Sequence, residues 1–332
     1  MGEAMLTRKI ILTPNDNLFG LSWEKSDLSG GTFTDVKYND GIWVISCDRA
    51  FSETPINGLL YSTDGQHWSQ SNVEAGYFSS LDYGNGVWVA GAYYGYESNI
   101  VGLWYSLDGK IWQQTNVTTG EFNSVAFGNG TWVAMGYNGN YYSNDGKTWQ
   151  QLSMSLNGYN ACYANGFWIT GDSSGLHYST NGINWTKSNI TTAVYTYCAT
   201  YGNGVWVVGT ASGLYYSTDG KNWTLSDATG GNKENVVFGD GAFIAVDSNT
   251  GAYYSTNGKT WARTEVTSSC RGVTNADKYW LVGGNGVWWS ENGKNWVQSD
   301  ITSGGDILLY NNGICVAAGS TSYAEQGLHY SK

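Results

Sequence analysis

Proline, histidine and arginine are scarce in this sequence. Its 332 residues include two Pro, three His and four Arg, and only 13% of them are charged. Three His supply few ligands for a metal centre, and four Arg cannot form the basic surface that binding to nucleic acid needs. A formal net charge of −11 with a pI near 4.6 also disfavours nucleic acid and anionic membrane surfaces as partners.

Long hydrophobic segments are also missing. No stretch is apolar enough to predict membrane insertion, and the apolar run within residues 1–17 is too short for a signal peptide. We expect residues 1–17 to be an N-terminal extension or a linker from a larger protein. Helical periodicity is absent too, whereas Gly (46 residues) and aromatic residues (15%) are abundant. This composition indicates an all-β fold.

The five cysteines form no Cys-x-x-Cys pair, and their number is odd. Cys47, Cys162, Cys198 and Cys315 fall within repeated strand segments, and Cys270 begins another. We expect small buried side chains at these positions and no disulfide framework. The sequence predicts no cofactor.

One stretch is repeated along the chain. Its clearest copy is Tyr216-Ser217-Thr218-Asp219-Gly220-Lys221-Asn222-Trp223, with versions at 61–68, 105–112, 142–149, 178–185, 254–261 and 289–296. In each copy, an apolar/polar alternation leads to Ser, breaks at Asp-Gly or Asn-Gly, and resumes at Trp. This pattern predicts two antiparallel strands joined by a tight turn.

A second signature, Asn-Gly or Asp-Gly followed shortly by Trp, lies upstream in each unit. It is clear at 39–43, 85–88, 129–132, 165–168 and 203–206, and weaker at 240–243, 277–280 and 312–315. Eight units of four strands, spaced by 35 to 45 residues, are typical of propeller blades. We predict one all-β, eight-bladed β-propeller over residues 18–332, with blades that begin near 32, 77, 121, 158, 195, 233, 270 and 306.

The two ends of the chain are predicted to share the last blade. The eighth unit stops at 327–332, where its fourth strand would begin, and residues 23–31 resemble residues 296–304. We therefore expect residues 18–31 to complete the eighth blade. Such closure leaves no open repeat end.

Three consecutive blades of the closed ring have long links between their second and third strands. These links include residues 46–58, 91–102 and 319–326, whereas the same link in the seventh unit is only 283–286. Because strand direction alternates, these links and the links between blades lie on one face, which we call the loop face. The Asp-Gly turns lie on the other, which we call the turn face.

We call the three long links the loop wall and expect it to bind a ligand, because insertions in repeat proteins often build a binding face. Neutral variation in loop length is the alternative. Aromatic and charged residues of the loop wall suit sugar rings or a protein surface. They are Arg49, Phe51, Glu53, Tyr93, Tyr94, Tyr96, Glu97, Tyr323 and Glu325.

The start of the innermost strand supplies a second candidate, which we call the channel mouth. One position there is mostly polar, and two residues later every unit is apolar, from Val36 to Leu308. We predict a polar mouth above an apolar channel body, with water in a channel that polar groups line. A ligand site that uses Arg271 with Glu234 or Asp306 is the alternative. The eight mouth residues are Thr34, Ser79, Asn123, Tyr159, Tyr197, Glu234, Arg271 and Asp306.

Aromatic and imidazole side chains recur at fixed places in the repeat. Most of the 17 Trp occupy two such places, which indicates packing between blades. Trp104 and Trp288 occupy a variable third-strand position, where we expect core packing with some exposure. His177 and His329 share that position in opposite blades and His67 lies in a turn, so we expect no metal site and no catalytic triad. The Asp and Asn of the turns are expected to bond their own backbone instead of calcium.

The Ser-x-Asp-Gly-x-x-Trp turn resembles the Asp-box, or bacterial neuraminidase repeat, which joins the third and fourth strands of blades in that superfamily. The resemblance covers about residues 18–332. It departs from the family box at 64–65, 108–109 and 219–220, where Asp and Gly are adjacent instead of being separated by one residue. A sialidase is not implied, because the chain has the wrong number of blades, no Arg-Ile-Pro motif, and only Arg8, Arg49, Arg263 and Arg271 to supply an arginine trio.

The resemblance indicates fold more strongly than function, because such repeats occur in sialidases, other glycoside hydrolases, assembly factors, sorting receptors, and phage or cell-surface proteins. We expect a non-enzymatic recognition module for a glycan or a cell-surface receptor, without catalytic residues. We expect it to belong to an extracellular, cell-surface or virion-associated protein of bacterial or phage type. One alternative is a glycoside hydrolase that uses two opposed carboxylates among Glu53, Glu97, Glu234 and Asp306. The other is a protein-assembly scaffold.

Overall fold

Each repeated unit folds into one antiparallel sheet of four strands. The computed structural model describes residues 23–28, 32–47, 57–93, 100–137, 139–153, 160–276, 278–302, 304–319 and 328–331. These residues form eight such sheets, one for each predicted blade, and contain no helix. The prediction of an all-β, eight-bladed propeller is confirmed.

The strands of each blade run in order from the channel outward. The innermost strands are β2 (Phe33–Asn39), β6 (Tyr77–Gly84), β10 (Phe122–Gly128), β14 (Cys162–Ala164), β18 (Thr196–Gly202), β22 (Lys233–Gly239), β26 (Cys270–Ala276) and β30 (Ile307–Asn311). The second strands are β3 (Ile42–Cys47), β7 (Val87–Tyr93), β11 (Thr131–Gly136), β15 (Phe167–Asp172), β19 (Val205–Thr210), β23 (Ala242–Asp247), β27 (Tyr279–Gly284) and β31 (Ile314–Ala318). The third strands are β4 (Leu59–Ser62), β8 (Gly102–Ser106), β12 (Tyr141–Ser143), β16 (Gly175–Ser179), β20 (Gly213–Ser217), β24 (Gly251–Ser255), β28 (Gly286–Ser290) and β32 (His329–Ser331). The outer strands are β5 (Ser69–Gln70), β9 (Trp112–Gln114), β13 (Gln150–Gln151), β17 (Thr186–Lys187), β21 (Thr224–Thr229), β25 (Ala262–Arg263), β29 (Val297–Gln298) and β1 (Glu24–Lys25).

The first turn of a blade explains the repeated Asn-Gly signature. Asn85 has φ of 50° and Gly86 has φ of 78°, and a two-residue hairpin turn of this type needs positive φ at both positions. Asn, Asp and Gly adopt that conformation at lower cost than other residues. The same geometry recurs with φ between 42° and 50° at Asp40, Asn85, Asn129, Asn165, Asn203, Asp240 and Asn312.

The ring is closed as the sequence predicts. Strand β1 pairs antiparallel with β32, and this register places Glu24 opposite Tyr330 and Lys25 opposite His329. The innermost strands contact one another in order around the channel, and β30 returns to β2. Residues far apart in the chain are therefore neighbours in one sheet.

The core consists of one hydrophobic layer between each pair of neighbouring blades. In the layer between the eighth and first blades, Val316 of β31 packs with Trp43 of β3 and Val36 of β2. Both repeated Trp positions are mostly buried in such layers, so the predicted packing role of these Trp residues is confirmed. Trp104 and Trp288 are partly buried and pack at the edges of two layers.

Neighbouring blades are also joined by a polar contact that we call the clasp. The Trp149 backbone N–H donates to Asn116 Oδ1 of the preceding blade (2.8 Å), and Asn116 Nδ2 donates to the Trp149 carbonyl oxygen (2.9 Å). Six of the eight interfaces have an Asn or Asp that accepts in this way: Asp27, Asn72, Asn116, Asn189, Asp227 and Asp300. The other two interfaces have Ser153 and Glu265 at this position.

Candidate functional site

The channel mouth is built by a β-bulge that recurs at one place in the innermost strands. In six blades the register shifts around a single residue, for example between Lys233 and Asn235 in β22 and between Cys270 and Gly272 in β26. A bulge leaves one residue outside the ladder and re-aims its side chain. The bulged residues are Thr34, Ser79, Asn123, Tyr197, Glu234 and Arg271, which are six of the predicted mouth residues.

Two of these side chains serve the scaffold. The Thr34 hydroxyl donates to the carbonyl oxygen of Phe78 in the next blade, and the Ser79 hydroxyl donates to that of Phe122. Each hydroxyl therefore ties its innermost strand to the following one. This sector of the mouth joins blades and has little polar capacity left for a ligand.

Charged residues occupy the mouth in the sixth, seventh and eighth blades. Glu234 and Asp306 are half-buried and Arg271 is exposed. Burial raises the pKa of Glu234; its hydrogen bond with Ser248 and the charge of Arg271 act against this, while Asp306 adds to it. Arg271 and Asp306 therefore both act electrostatically on Glu234, and we call these three residues the charged sector. Tyr197 lies at the bulge of the fifth blade, and Tyr159 lies outside the described residues.

A buried ion pair lies directly beside the charged sector, because Lys233, the residue before Glu234, pairs with Asp247. Lys233 Nζ lies 2.6 Å from Asp247 Oδ2 and donates to the Gly230 carbonyl oxygen at 2.6 Å. Both side chains are fully buried, and the ammonium lies 4.7 Å from the centre of the Tyr253 ring. This pair fixes the residue that precedes the Glu234 bulge. The sequence did not lead us to predict this ion pair. The one indication was Lys233 itself, which stands at a position where three other blades have Phe.

The channel body is not apolar throughout, so that expectation is wrong for the first two blades. The residues two positions after the mouth do pack between blades, but those on either side of them include Asp35, Lys37 and Asp82. Lys37 Nζ lies 3.1 Å from Asp35 Oδ1, and Asp82 Oδ2 accepts from the backbone N–H of Phe127 at 2.8 Å. Side chains of one strand point alternately to its two faces. The expectation came only from the position two residues after the mouth, which lies on the apolar face, so it missed the polar residues of the other face.

Of the nine candidate binding residues of the loop wall, only Tyr93 lies in the described part of the chain. It ends β7, and its ring centre is 6.3 Å from that of Tyr137, a residue that is 53% exposed. Tyr137 lies in the next blade and was missed, because the link that carries it is short. The other eight candidate residues lie outside the described residues, so ligand binding by the loop wall remains a prediction: Arg49, Phe51, Glu53, Tyr94, Tyr96, Glu97, Tyr323 and Glu325.

The Asp-Gly turns bond their own backbone, which confirms the prediction for them. Asp219 Oδ1 accepts the backbone N–H groups of Lys221 (2.8 Å) and Asn222 (2.7 Å), and Ser217 Oγ accepts that of Gly220 (2.9 Å). Hydrogen bonds from Asn222, through its backbone and its side chain, and from Lys221 hold the pKa of Asp219 well below its usual range. The Asp219 carboxylate therefore stabilises the turn by accepting hydrogen bonds from its backbone.

The described residues show neither a cluster of metal ligands nor a membrane-spanning helix. Those residues contain no group of three or more His, Cys, Asp or Glu side chains that could hold a metal ion. Cys162, Cys198, Cys270 and Cys315 are free thiols, and burial raises the pKa of Cys162 to about 12. No helix in the described ranges is long and apolar enough to cross a membrane.

Comparison with known proteins places this chain among solved propeller-like structures. No protein-family model matches the chain, and no curated protein matches its sequence. The computationally designed protein Ika8 is similar with a TM-score of 0.67 and 9% identity, over 94% of this chain and 99% of that one. BamB from Moraxella catarrhalis has a TM-score of 0.63 and 10% identity, over 95% and 99%. YCF48, in a structure bound to D1 peptide, has a TM-score of 0.57 and 15% identity, over 96% and 97%.

Identities this low show a shared fold and no more. The Asp-box family assignment therefore remains a prediction from the repeated turn. The described geometry and the comparisons agree that this chain is an eight-bladed β-propeller.

Proposed function

We propose that this chain is a non-enzymatic recognition module that holds a segment of a partner protein at its channel mouth. The charged sector of Glu234, Arg271 and Asp306 carries the proposal, because neutral residues fill the equivalent bulges of the described first, second, third and fifth blades. A rigid ring with one chemically distinct sector is suited to binding in one orientation. The YCF48 structure with a bound peptide supports the proposal only through its similar fold.

Side-chain chemistry favours a polypeptide ligand in this sector. Arg271 is exposed and can form two parallel hydrogen bonds with a carboxylate, or one with a backbone carbonyl. The carboxylates of Glu234 and Asp306 can accept from backbone N–H groups or cationic side chains. An extended peptide presents all of these groups.

A peptide array tests the proposal. We expect the purified protein to bind a subset of immobilised synthetic 15-residue peptides, and the single variants Arg271→Ala, Glu234→Gln and Asp306→Asn to lose those hits. Arg263→Ala is the matched control, because Arg263 is an exposed Arg on outer strand β25 that donates to the Thr250 carbonyl oxygen (2.8 Å). Equal binding by wild type and all three mouth variants would contradict the mouth as the site.

A glycan array separates the other form of recognition. Binding to glycans but to no peptide would overturn the proposal in favour of a glycan-recognition module. In that case, loss of glycan hits in a Tyr93→Ala/Tyr94→Ala/Tyr96→Ala variant would assign binding to the loop wall. Retention of every hit would exclude these tyrosines.

One observation favours glycoside hydrolysis as a second candidate function. Burial raises the pKa of Glu234, and Asp306 acts on it; a raised carboxyl pKa is what a general acid needs, with a second carboxylate as its partner. This function predicts release of reducing ends from a polysaccharide panel, and loss of that release in Glu234→Gln. No release by wild type from any polysaccharide would leave recognition as the function.

We also propose an extracellular, cell-surface or virion-associated location, on the strength of the Asp-box resemblance. Cell fractionation with an antibody to the chain tests this location. Recovery only with the cytosolic fraction would contradict it and would favour an intracellular assembly scaffold.

A further inference from the structure

The interface between the third and fourth blades contains a buried polar pair at a position where every other blade has at least one aliphatic residue. Thr170, Asp172 and His177 of the fourth blade are at most 4% exposed. Thr170 and His177 are partners in the register of β15 and β16, and at least one member of the equivalent pair is aliphatic in every other blade. Those pairs are Ile45 and Leu60, Ala90 and Trp104, Ala134 and Tyr141, Val208 and Tyr215, Ala245 and Tyr253, Val282 and Trp288, and Ala317 and His329.

Hydrogen bonds assign the tautomer of His177. Ser174 Oγ donates its proton to Asp172 Oδ1 at 2.7 Å, and the same oxygen lies 3.3 Å from His177 Nε2. Because the hydroxyl proton is used on the carboxylate, Nε2 must carry the ring proton and donate it to Ser174 Oγ. Nδ1 is then an unprotonated, buried nitrogen, and neither it nor Thr170 Oγ1 has a hydrogen-bond partner among the described residues.

A second proton on His177 would be costly in this position. It would place a positive charge and an unsatisfied N–H group in a dry layer, where Val133, Met135 and Leu152 of the third blade are buried. Two charged groups act on the ring: Asp172 on its own hairpin favours protonation, and Lys187, its register partner on β17, opposes it. The link at 154–159 contains no acidic or basic residue.

The same interface lacks the Asn or Asp of the clasp and has Ser153 at that position. The backbone N–H of Ala161 in the fourth blade donates to Ser124 Oγ of the third blade at 3.4 Å, which is a long hydrogen bond. We propose that the ring opens at this interface when His177 takes up a proton, so that the propeller has one acid-sensitive joint between its third and fourth blades.

Thermodynamic linkage between proton binding to His177 and opening of the interface gives the direction of the pH effect. Burial is the main cause that lowers the pKa of His177 below its usual 6.5; Asp172 offsets part of this, and Lys187 adds to the lowering. The closed interface therefore binds the proton more weakly than the open one. Its stability is fully present above the ordinary pKa and is lost as the pH falls through about 6.5 towards the lowered value.

Hydrogen-exchange mass spectrometry at pH 7.5, 6.5 and 5.5, corrected for intrinsic exchange rates, tests the proposal. We expect opening of peptides from β11 and β14–β16 to increase by up to about tenfold at pH 5.5, which is the limit for one His one unit below its ordinary pKa. The other blades should respond much less. A response spread evenly over all eight blades would overturn the proposal.

Substitutions identify the responsible group. His177→Tyr and His177→Leu introduce residues that other blades use at this position, and each should remove the pH response of this interface. His67→Gln and His329→Leu should leave it intact; His67 is exposed on the turn face, with 76% of its side chain accessible. A response that persists in both His177 variants, or disappears in either control, would assign it to another group.

Discussion

Tyr330 donates a hydrogen bond from its phenol oxygen to the carboxylate of Glu24, across 306 residues of sequence. The two residues are register partners in the sheet that closes the ring, and both are at least nine-tenths buried. Burial raises the pKa of Tyr330, and the neighbouring Glu24 raises it further. The contact therefore joins the first and last described strands through a desolvated carboxylate.

Tyr330→Phe should destabilise the whole ring. The substitution leaves the buried Glu24 carboxylate without its phenol donor, which costs about 1–3 kcal/mol in the free energy of unfolding. Urea unfolding at pH 7 measures this loss. Tyr330→Phe combined with Glu24→Leu should recover most of it, because both polar partners are then gone. If the double variant were less stable than the single one, the carboxylate would have another role.

Asn116→Ala should weaken the interface between the second and third blades. It removes both hydrogen bonds of the clasp with Trp149, and we expect a loss of about 1–2 kcal/mol, measured by thermal and urea unfolding. Asn116→Asp keeps the acceptor, as Asp27, Asp227 and Asp300 do, and should cost less. Ser153→Ala is the control at an interface whose clasp position is not Asn or Asp, and it should change stability little. Equal losses in Asn116→Ala and Ser153→Ala would contradict the stabilising role of the clasp.

Lys233→Met should destabilise the sixth blade strongly. Removing one partner of a buried ion pair leaves the charge of Asp247 uncompensated, which costs about 3–5 kcal/mol in the free energy of unfolding. The double variant Lys233→Phe/Asp247→Ala reproduces the Phe78 and Ala92 pair of the second blade and should recover most of that stability. A double variant as unstable as Lys233→Met would show that the pair is needed for the local fold.

Acid should reduce stability partly through the Asp-Gly turns. Hydrogen bonds lower the pKa of Asp64, Asp108, Asp145 and Asp219, so their contribution is present above the ordinary value of 3.8 and is lost as the pH falls below it. Urea unfolding at pH 6 and pH 3 measures the loss. Replacing all four by Asn, the residue found at Asn181, Asn257 and Asn292, should make the protein less sensitive to this change. An unchanged difference between the two pH values would assign the loss to other carboxylates.

The repeat made the architecture predictable. Asn85-Gly86 and Ser217 to Trp223 encode local turns, and local turns are specified by residues within a few positions of one another. The match between residues 23–31 and 296–304 then predicted a contact between distant segments without any knowledge of packing. Such a prediction is possible only because blades repeat.

Departures from the repeat were harder to read. The buried pair of Lys233 and Asp247 is visible in sequence only as two charged residues 14 positions apart, and burial of both depends on the register of β22 with β23. The unpaired Nδ1 of His177 depends on a tautomer that only the Ser174 contact reveals. Long links such as 94–99 do not repeat from blade to blade. The sequence therefore gives their length but does not predict their conformation.

Sharing of hydrophobic layers has a thermodynamic consequence. An open row of eight blades would have seven such layers, and the pairing of β1 with β32 supplies an eighth, so every blade is covered on both sides. Detaching any one blade exposes two layers at once. We therefore expect the ring to unfold as one cooperative unit. Deletion of a single blade should remove far more than one eighth of its free energy of unfolding.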